Sequence, residues 1–415
     1  MTRLGLLALS ASMIFATGCE PVAAPDTGVK PAIASASEIG RRIERLASDE
    51  FEGRAPGTAG GKAASQYIAD EMKAAGLMPA VNNNSYFQTV ELTAQTLLPS
   101  STMGISHGED VILDGNDIEN AVFWTKRLDA TVDVKDSEVV FVGYGVTAPE
   151  YGWDDYAGLD VKGKTVVMLV NDPGFATKDE ALFKGNAMTY YGRWTYKFEE
   201  AARQGAAAAI VIHETEPASY GWNVVSGSWS GEQVDLVRPD RGASRAALEG
   251  WITYAQAEQM FARADMDLDK LKSDAAAKGF KPVIASDLKL NATINQSVKT
   301  TTSRNVAGWV KGTTHPDEYV LYMAHWDHLG KKGSLEGDDK IYNGAVDNAT
   351  GTAAIIEIGE AFARNIVTGF GRVEGRTVTF RMAETGDPVG VEQFLNRTRS
   401  IWTRADGSCA IGKVA

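Results

Sequence analysis

Apolar residues recur at helical spacing in the N-terminal part of the chain. Ile39, Ile43 and Leu46 fall on one face of a helix because they lie three or four residues apart. The segment "GGKAASQYIADEMKAAGL" continues this pattern and ends around Gly76, a residue type that commonly follows the last turn of a helix. The pattern therefore predicts two amphipathic helices in this part of the chain.

A glycine-rich segment, "GRAPGTAGGK", separates the two predicted helices. A phosphate-binding loop would carry Ser or Thr directly after the lysine and would follow a strand. Here Ala63 follows Lys62 and no strand pattern precedes the segment, so the sequence does not indicate a nucleotide site. We interpret the segment as a loop in which glycine permits unusual backbone angles.

From about Ser137 the pattern changes to runs of β-branched residues. "SEVVFVGYGV" and "GKTVVMLVND" predict strands, and "YKFEEAARQGAAAAIVIHE" predicts a helix, a stop at Gly205 and a buried strand. These segments predict a compact α/β unit that extends to near Ala285. His213 ends the buried strand without a nearby cluster of Cys or carboxylate residues in the sequence, so we interpret it as a structural histidine.

The C-terminal part predicts strands that alternate with a helix. "LKLNATINQSVKTTTSRNVAGWVKGT" predicts two strands, 319–323 a third and "GRTVTFRMAETG" a fourth. The helix predicted for "GTAAIIEIGEAFARNIV" has four inward residues, which are Ala354, Ile355, Ile358 and Phe362. The alternation predicts a doubly wound α/β sheet, in which ligand sites form beyond the carboxyl ends of the strands. His325, Asp327 and Glu384 fall at such ends.

Composition and charge narrow the class of protein. The 415 residues are 44% hydrophobic and 23% charged, which is typical of a soluble globular protein with buried cores. The net charge is −13 and basic residues are not clustered, so nucleic acid is not an expected partner. The length allows two domains of about 100–200 residues each.

The N-terminus has the pattern of a targeting signal. "MTRLGLLALSASMIFATGCE" contains a basic Arg3, an apolar run at 4–16 and then Cys19. It resembles a bacterial lipoprotein signal peptide at 1–19, which implies acylation of Cys19 and anchoring to a membrane facing the periplasm or cell surface; a plain secretory peptide is the alternative. Residues 20–36 are rich in Pro, Ala and Ser and predict a flexible tether. Beyond Cys19 only Cys409 remains, which excludes an internal disulfide in the mature chain.

The motif "HWDH" at the end of the third strand is a candidate site. In a continuing strand, His325 and Asp327 would project to one side and His328 to the other. A neutral imidazole can bind a divalent metal through one nitrogen while a carboxylate accepts the proton of the other. An ordinary polar strand end is the alternative interpretation.

Two further carboxylates follow in the sequence. Asp347, in "GAVDNATG", directly precedes a predicted helix, where a carboxylate could bridge two cations or simply cap the helix. Glu384, in "TFRMAETG", follows a predicted buried strand and could serve as a general base or be a solvated turn residue.

Taken together, the motifs resemble metallopeptidase family 28, the two-zinc aminopeptidases. The resemblance is carried by "MAHWDHLG", "YNGAVDNATGTAAIIEIGEAF" and "RTVTFRMAE", and the N-terminal helices are similar as well. It implies an α/β fold with a phosphorylase/hydrolase-like mixed sheet flanked by helices. It also implies a peptidase domain at 37–135 and 286–395, interrupted by a protease-associated insert at 136–285.

The resemblance further implies a role for each motif residue. His325 becomes a Zn²⁺ ligand, Asp327 the carboxylate that orients it, Asp347 the ligand that bridges two zinc ions, and Glu384 the general base. The expected reaction is hydrolysis of the peptide bond after a free N-terminal residue of a peptide substrate. The sequence leaves the oligomeric state open.

The sequence departs from the family pattern after Glu384. The family has two adjacent glutamates where this chain has Glu384 and Thr385, and no histidine follows His328. We expect that a reading-frame error near codon 385 produced the tail at 396–415, which would leave the catalytic domain incomplete and weaken or abolish its activity.

Two alternatives stay open. One is a two-zinc carboxypeptidase or glutaminyl cyclase that shares the fold. The other is a surface lipoprotein that binds peptide or protein through the insert and has a non-catalytic peptidase core.

Overall fold

The computed structural model describes residues 34–82, 84–312, 315–331, 337–367, 376–383, 400–403 and 409–412. Nine α-helices occur among them: α1 (Ala36–Leu46), α2 (Ala59–Ala74), α3 (Pro173–Thr177), α4 (Trp194–Arg203), α5 (Thr215–Ala218), α6 (Trp222–Trp229), α7 (Tyr254–Ala262), α8 (Leu268–Ala275) and α9 (Thr350–Val367). Short 3-10 turns and one π-turn, Ala345–Ala349, complete the helical elements of the described residues.

Seventeen strands occur in the same residues. They are β1 (Met78–Pro79), β2 (Phe87–Leu97), β3 (Thr102–His107), β4 (Asp110–Asp114), β5 (Ala121–Trp124), β6 (Thr131–Phe141), β7 (Thr147–Ala148), β8 (Trp153–Asp154), β9 (Thr165–Leu169), β10 (Ala208–His213), β11 (Gln233–Leu236), β12 (Leu248–Thr253), β13 (Val283–Val310), β14 (His315–His325), β15 (Arg376–Ala383), β16 (Ser400–Thr403) and β17 (Cys409–Gly412).

Thirteen of these strands form one mixed sheet. Its central path runs β11-β2-β13-β6-β9-β10-β12-β5, and β1, β3, β4, β14 and β15 pair off this path. The strands β6, β9, β10 and β12 are parallel, as are β14 and β15, whereas the other pairs are antiparallel. The predicted α/β class with a mixed sheet flanked by helices is confirmed, but the sheet is not the uniformly parallel, doubly wound type.

Strand β13 corrects one prediction. We expected two strands in this segment, whereas the structure has a single strand of 28 residues. Its first half pairs with β3 and β6, and its second half pairs with β2 and β15. A change of partner in mid-strand needs no turn, and the Thr-rich middle of β13 is well suited to extended backbone.

Two apolar clusters lie on opposite faces of the middle of the sheet. Because side chains alternate along a strand, Val139 and Phe141 join one cluster while Val140 and Val142 join the other. The first cluster also contains Met103 from β3, so it draws on residues before and after the predicted start of the insert at 136.

A third cluster lies on the helical side of β13 and β14. It contains Leu46 of α1, Ile68 and Met72 of α2, Ile356 of α9, and Trp326 directly after β14. Helix α9 is therefore held between α1, α2 and the strands that carry the candidate site. Of its predicted inward residues, Ile355 is buried, while Ala354, Ile358 and Phe362 are half-buried.

Several predictions fall on residues that the structure does not describe. Cys19 and Glu384 lie outside the described residues, as do most of the tether and most of the tail at 396–415. Within the described residues, no helix has both the length and the apolar character that crossing a bilayer requires. The predicted domain boundaries stay predictions.

Candidate active site

The site begins where β14 ends, at His325. Trp326 then turns into the helical-side core, where it is 1% exposed, and Asp327 is buried behind the histidine. His325 Nδ1 lies 3.1 Å from the Asp327 carbonyl oxygen and 3.4 Å from Asp327 Oδ1. A proton on Nδ1 is therefore donated to Asp327, which orients the ring and leaves Nε2 facing away from it.

Asp347 faces His325 from the turn that precedes α9. Asp347 Oδ1 lies 3.0 Å from His325 Nε2, and the Asp347 side chain is 69% exposed. The peptide bond between Asp347 and Asn348 is cis. Asn348, rather than Asp347, caps α9, because Asn348 Oδ1 accepts a hydrogen bond from Gly351 N at 3.0 Å. The Asp347 carboxylate is thus directed towards the histidine, and its neighbour satisfies the helix terminus.

His328 lies on the same side as the other site residues, contrary to our expectation. Its Nδ1 is 3.8 Å from Asp347 Oδ2, the oxygen that does not face His325. The prediction that His328 points away assumed that the strand continues, but β14 ends at His325 and strand alternation ends with it. The two oxygens of Asp347 consequently face two different imidazoles.

The two imidazoles have opposite electrostatic environments. The pKa of His325 is raised because of its hydrogen bond with Asp327, against an opposing effect of burial. Burial lowers the pKa of His328; the charge of Asp347 opposes this shift, and the positive charge of Arg54 adds to it. His325 is therefore the more basic nitrogen donor of the pair.

Arg54 lies beneath the site and was missed by sequence reasoning. Its side chain is fully buried, and it comes from the glycine-rich segment that we interpreted only as a permissive loop. Burial lowers its pKa to about 10, while the charges of Asp327 and Asp347 oppose that shift. The only sequence signal was a charged residue next to Gly53 in a loop, which is too common to indicate a site.

The strand that follows α9 ends beside the histidine. Strand β15 is parallel to β14, and Ala383 is in register with His325. Residues 305–383, which run from the last six residues of β13 to the end of β15, match the model of peptidase family M28. We call residues 305–383 the M28 segment because of this match. His325, Asp327 and Asp347 all lie within it, and Glu384 directly follows it.

Three solved structures are similar to this chain. An aminopeptidase from Aneurinibacillus sp. strain AM-1 is 20% identical with a TM-score of 0.44, and 87% of this chain covers 66% of that one. A zinc aminopeptidase from Bacillus subtilis is 15% identical with a TM-score of 0.36, with coverages of 88% and 66%. A peptidase M28 precursor from Shewanella amazonensis SB2B is 16% identical with a TM-score of 0.36, with coverages of 84% and 67%. The chain thus spans about two thirds of their length, and a search of curated proteins found no match.

The donor chemistry of the M28 segment suits a zinc ion. With bond lengths of about 2.1 Å, two ligands of a tetrahedral zinc ion lie about 3.4 Å apart. His325 Nε2 and Asp347 Oδ1 are 3.0 Å apart. The residues that the structure describes contain no group of three or more metal-ligating side chains. This agrees with the geometry, since Asp327 faces the far nitrogen of His325 and His328 stands at 3.8 Å from Asp347.

Proposed function

We propose that this chain is a zinc-dependent exopeptidase of the aminopeptidase type, which removes N-terminal residues from peptides outside the cytoplasm. The observation that carries the proposal is the approach of His325 Nε2 to Asp347 Oδ1 within the M28 segment. A buried carboxylate, Asp327, supports the imidazole from behind. An imidazole that is supported by a buried carboxylate and approached by an exposed one supports a metal site over an ordinary polar strand end.

Each residue has a distinct part in this proposal. His325 and Asp347 would hold a zinc ion, Asp327 would fix the His325 ring, and Asp347 would also serve a second ion. Bound zinc would polarise the substrate carbonyl and stabilise the oxyanion that forms there. Glu384, which lies outside the described residues, is proposed to move the proton from the attacking water to the leaving amine. The B. subtilis protein, described as a zinc aminopeptidase, supports the choice of metal.

The test of the peptidase proposal combines metal analysis with hydrolysis. We expect the full chain to contain zinc and to hydrolyse aminoacyl-p-nitroanilides, and His325→Gln and Asp347→Asn to lose both properties. His213→Gln is the matched control, because His213 is a buried histidine whose Nε2 contacts the Tyr220 carbonyl oxygen at 2.9 Å, away from the M28 segment.

Two outcomes would contradict the peptidase proposal. Zinc content and hydrolysis that survive in both site variants would show that the activity comes from elsewhere. A full chain without zinc or hydrolysis, but with saturable binding of peptides, would favour the lipoprotein with a non-catalytic core.

We also propose that the protein is exported and anchored through a lipid on Cys19. The support is the apolar run followed by Gly18 and Cys19 at the N-terminus. In a bacterial host, radiolabelled palmitate should enter the chain, and Cys19→Ala should move it from the membrane to the soluble fraction. Labelling that persists in Cys19→Ala would overturn the anchor.

A further inference from the structure

The glycine-rich segment between α1 and α2 contributes the buried side chain of Arg54, which the proposed peptidase mechanism does not use. We propose that Arg54 is a positioning residue of the active site, which sets the spacing between the segment of His325 and Asp327 and the segment of Asp347. It does so by donating hydrogen bonds to main-chain carbonyl groups on both segments. The residue would touch neither substrate nor metal and would act through the side chains above it.

The hydrogen bonds of the guanidinium group carry this inference. Arg54 Nε donates to the carbonyl oxygen of Trp326 at 2.9 Å, between the two site residues His325 and Asp327. Its Nη1 and Nη2 donate to the carbonyl oxygens of Asn343 at 2.6 Å and Gly344 at 2.9 Å, just before Asp347. A further bond from Nη1 reaches the carbonyl of Leu46 at the end of α1. One rigid group therefore joins three separate parts of the chain.

Main-chain contacts reinforce the same arrangement. His328 N donates to the Arg54 carbonyl oxygen at 3.3 Å, and Gly330 N donates to the Gly53 carbonyl oxygen at 3.0 Å. Gly53 has a φ of +71°, and a Cβ there would lie 2.6 Å from the Gly330 oxygen. The close approach explains why glycine precedes the arginine. Gly53 and Arg54 therefore form a brace, against which the loop that follows β14 packs.

The chemistry of arginine explains why this residue type suits the position. Its donors are held in a planar fork, so their directions are fixed once the group is packed, whereas a lysine ammonium is a flexible point charge. The buried positive charge is stabilised by the carbonyl dipoles and by the charges of Asp327 and Asp347. Replacement would thus change both the geometry and the field of the site.

A spectroscopic test in the metal-free chain separates positioning from general stability. The sequence contains five histidines, so ¹³C-histidine labelling gives few imidazole signals, which His→Gln variants can assign. We expect Arg54→Met to shift the signals of His325 and His328 and to leave those of His107 and His213 in place. Arg42→Met is the matched control, because Arg42 is also a buried arginine but pairs with Glu357, about two turns into α9.

The outcome with lysine decides whether the fork or the charge matters. Arg54→Lys should shift the same two signals, since an ammonium group cannot reproduce bonds to three segments. A wild-type spectrum in Arg54→Met or in Arg54→Lys overturns the inference, and so does an equal shift of His325 in Arg42→Met.

A second variant keeps the test decisive if the Arg54 variants do not fold. Gly344 has a φ of +61°, and a Cβ there would lie 2.6 Å from Arg54 Nη2, from the Asp347 carbonyl oxygen and from His328 Cδ2. Gly344→Ala should therefore displace the guanidinium group while retaining its charge. Because the new methyl group would also touch the His328 ring directly, only the His325 signal is used, and it should shift. An unchanged His325 signal in Gly344→Ala would also overturn the inference.

Metal affinity provides an additional measurement that rests on the proposed function. Loss of a group that orients metal ligands typically weakens metal binding by about 10- to 100-fold. We expect a decrease of this size for zinc in Arg54→Met, measured by competition with a chromophoric chelator, and wild-type affinity in Arg42→Met. If the wild-type chain binds no zinc, the proposed function fails, while the imidazole spectra still decide the role of Arg54.

Discussion

The ion cluster around Arg42 allows a sharp prediction about stability. The Arg42 side chain is 4% exposed and connects α1 to the helices on either side of it. Its Nε lies 2.8 Å from Glu71 of α2, its Nη2 lies 2.9 Å from Glu360 of α9, and its Nη1 contacts Glu357. Arg42→Met keeps most of the apolar volume and removes the charge.

The magnitude follows from the burial of the three carboxylates. The side chains of Glu71, Glu357 and Glu360 are 15%, 6% and 13% exposed, so water cannot fully replace the guanidinium. Breaking a buried ion pair by removing one partner destabilises a protein by about 3–5 kcal/mol. We expect Arg42→Met to fall in this range.

The neighbouring arginine provides a control with the same charge. Arg41 lies on the same helix and also pairs with Glu71, at 2.7 Å, but its side chain is 48% exposed. Exposed ion pairs contribute about 0–1 kcal/mol, so Arg41→Met should lower the free energy of unfolding by no more than that. Both variants remove one positive charge, so the comparison reports the effect of burying the side chain.

Urea unfolding monitored by tryptophan fluorescence measures both variants. Adding Glu357→Gln to Arg42→Met should recover about 1–2 kcal/mol, because it neutralises one of the carboxylates left unpaired. If the free energies of unfolding of Arg42→Met and Arg41→Met differ by less than about 1 kcal/mol, the cluster is effectively solvated and the reasoning from burial is wrong.

Three further predictions concern particular side chains. Gly53→Ala should destabilise the protein by about 1–3 kcal/mol more than Gly108→Ala in thermal unfolding. Both glycines have a positive φ, but only at Gly53 would a Cβ meet backbone atoms. Equal effects would show that the close approach of Gly53 to the loop after β14 does not matter for stability. Burial raises the pKa of Glu71, but hydrogen bonds from arginine lower it overall from 4.5. Its contribution to stability is therefore present above pH 4.5 and is lost as the pH falls below that value. Glu71→Gln should reduce the pH dependence of the urea midpoint below pH 4.5, and an unchanged dependence would contradict this. Burial lowers the pKa of His213 from 6.5, so stability should fall as the pH drops below 6.5, and an unchanged pH slope in His213→Leu would refute this.

Local patterns were sufficient to predict the helices that surround the site. Helices α1 and α2 are capped by Ser35 and Thr58, whose side chains accept hydrogen bonds from Glu38 N and Gly61 N. Apolar spacing and polar caps act within a few residues, so the sequence contains this information directly. Apolar spacing likewise predicts α9, and a run of β-branched residues predicts β15.

Features that depend on distant partners could not be predicted in this way. The length of β13 is set by its changing partners along the sheet, and these do not affect its own alternation of residues. The direction in which the His328 side chain points depends on where β14 ends, which is at His325. The role of Arg54 depends on carbonyl groups 272 to 290 residues away, and backbone acceptors have no sequence signature.

The site therefore combines two kinds of information. The M28 segment supplies His325, Asp327 and Asp347, and it could be recognised because these side chains have a fixed order. The brace that holds them comes from Gly53 and Arg54, which lie outside that segment and bind to its main chain. An isolated M28 segment would consequently keep the candidate ligands but lose the contacts that fix their spacing. The chemistry of the site and its geometry are thus encoded in different parts of the chain, and the fold of the N-terminal helices is what joins them.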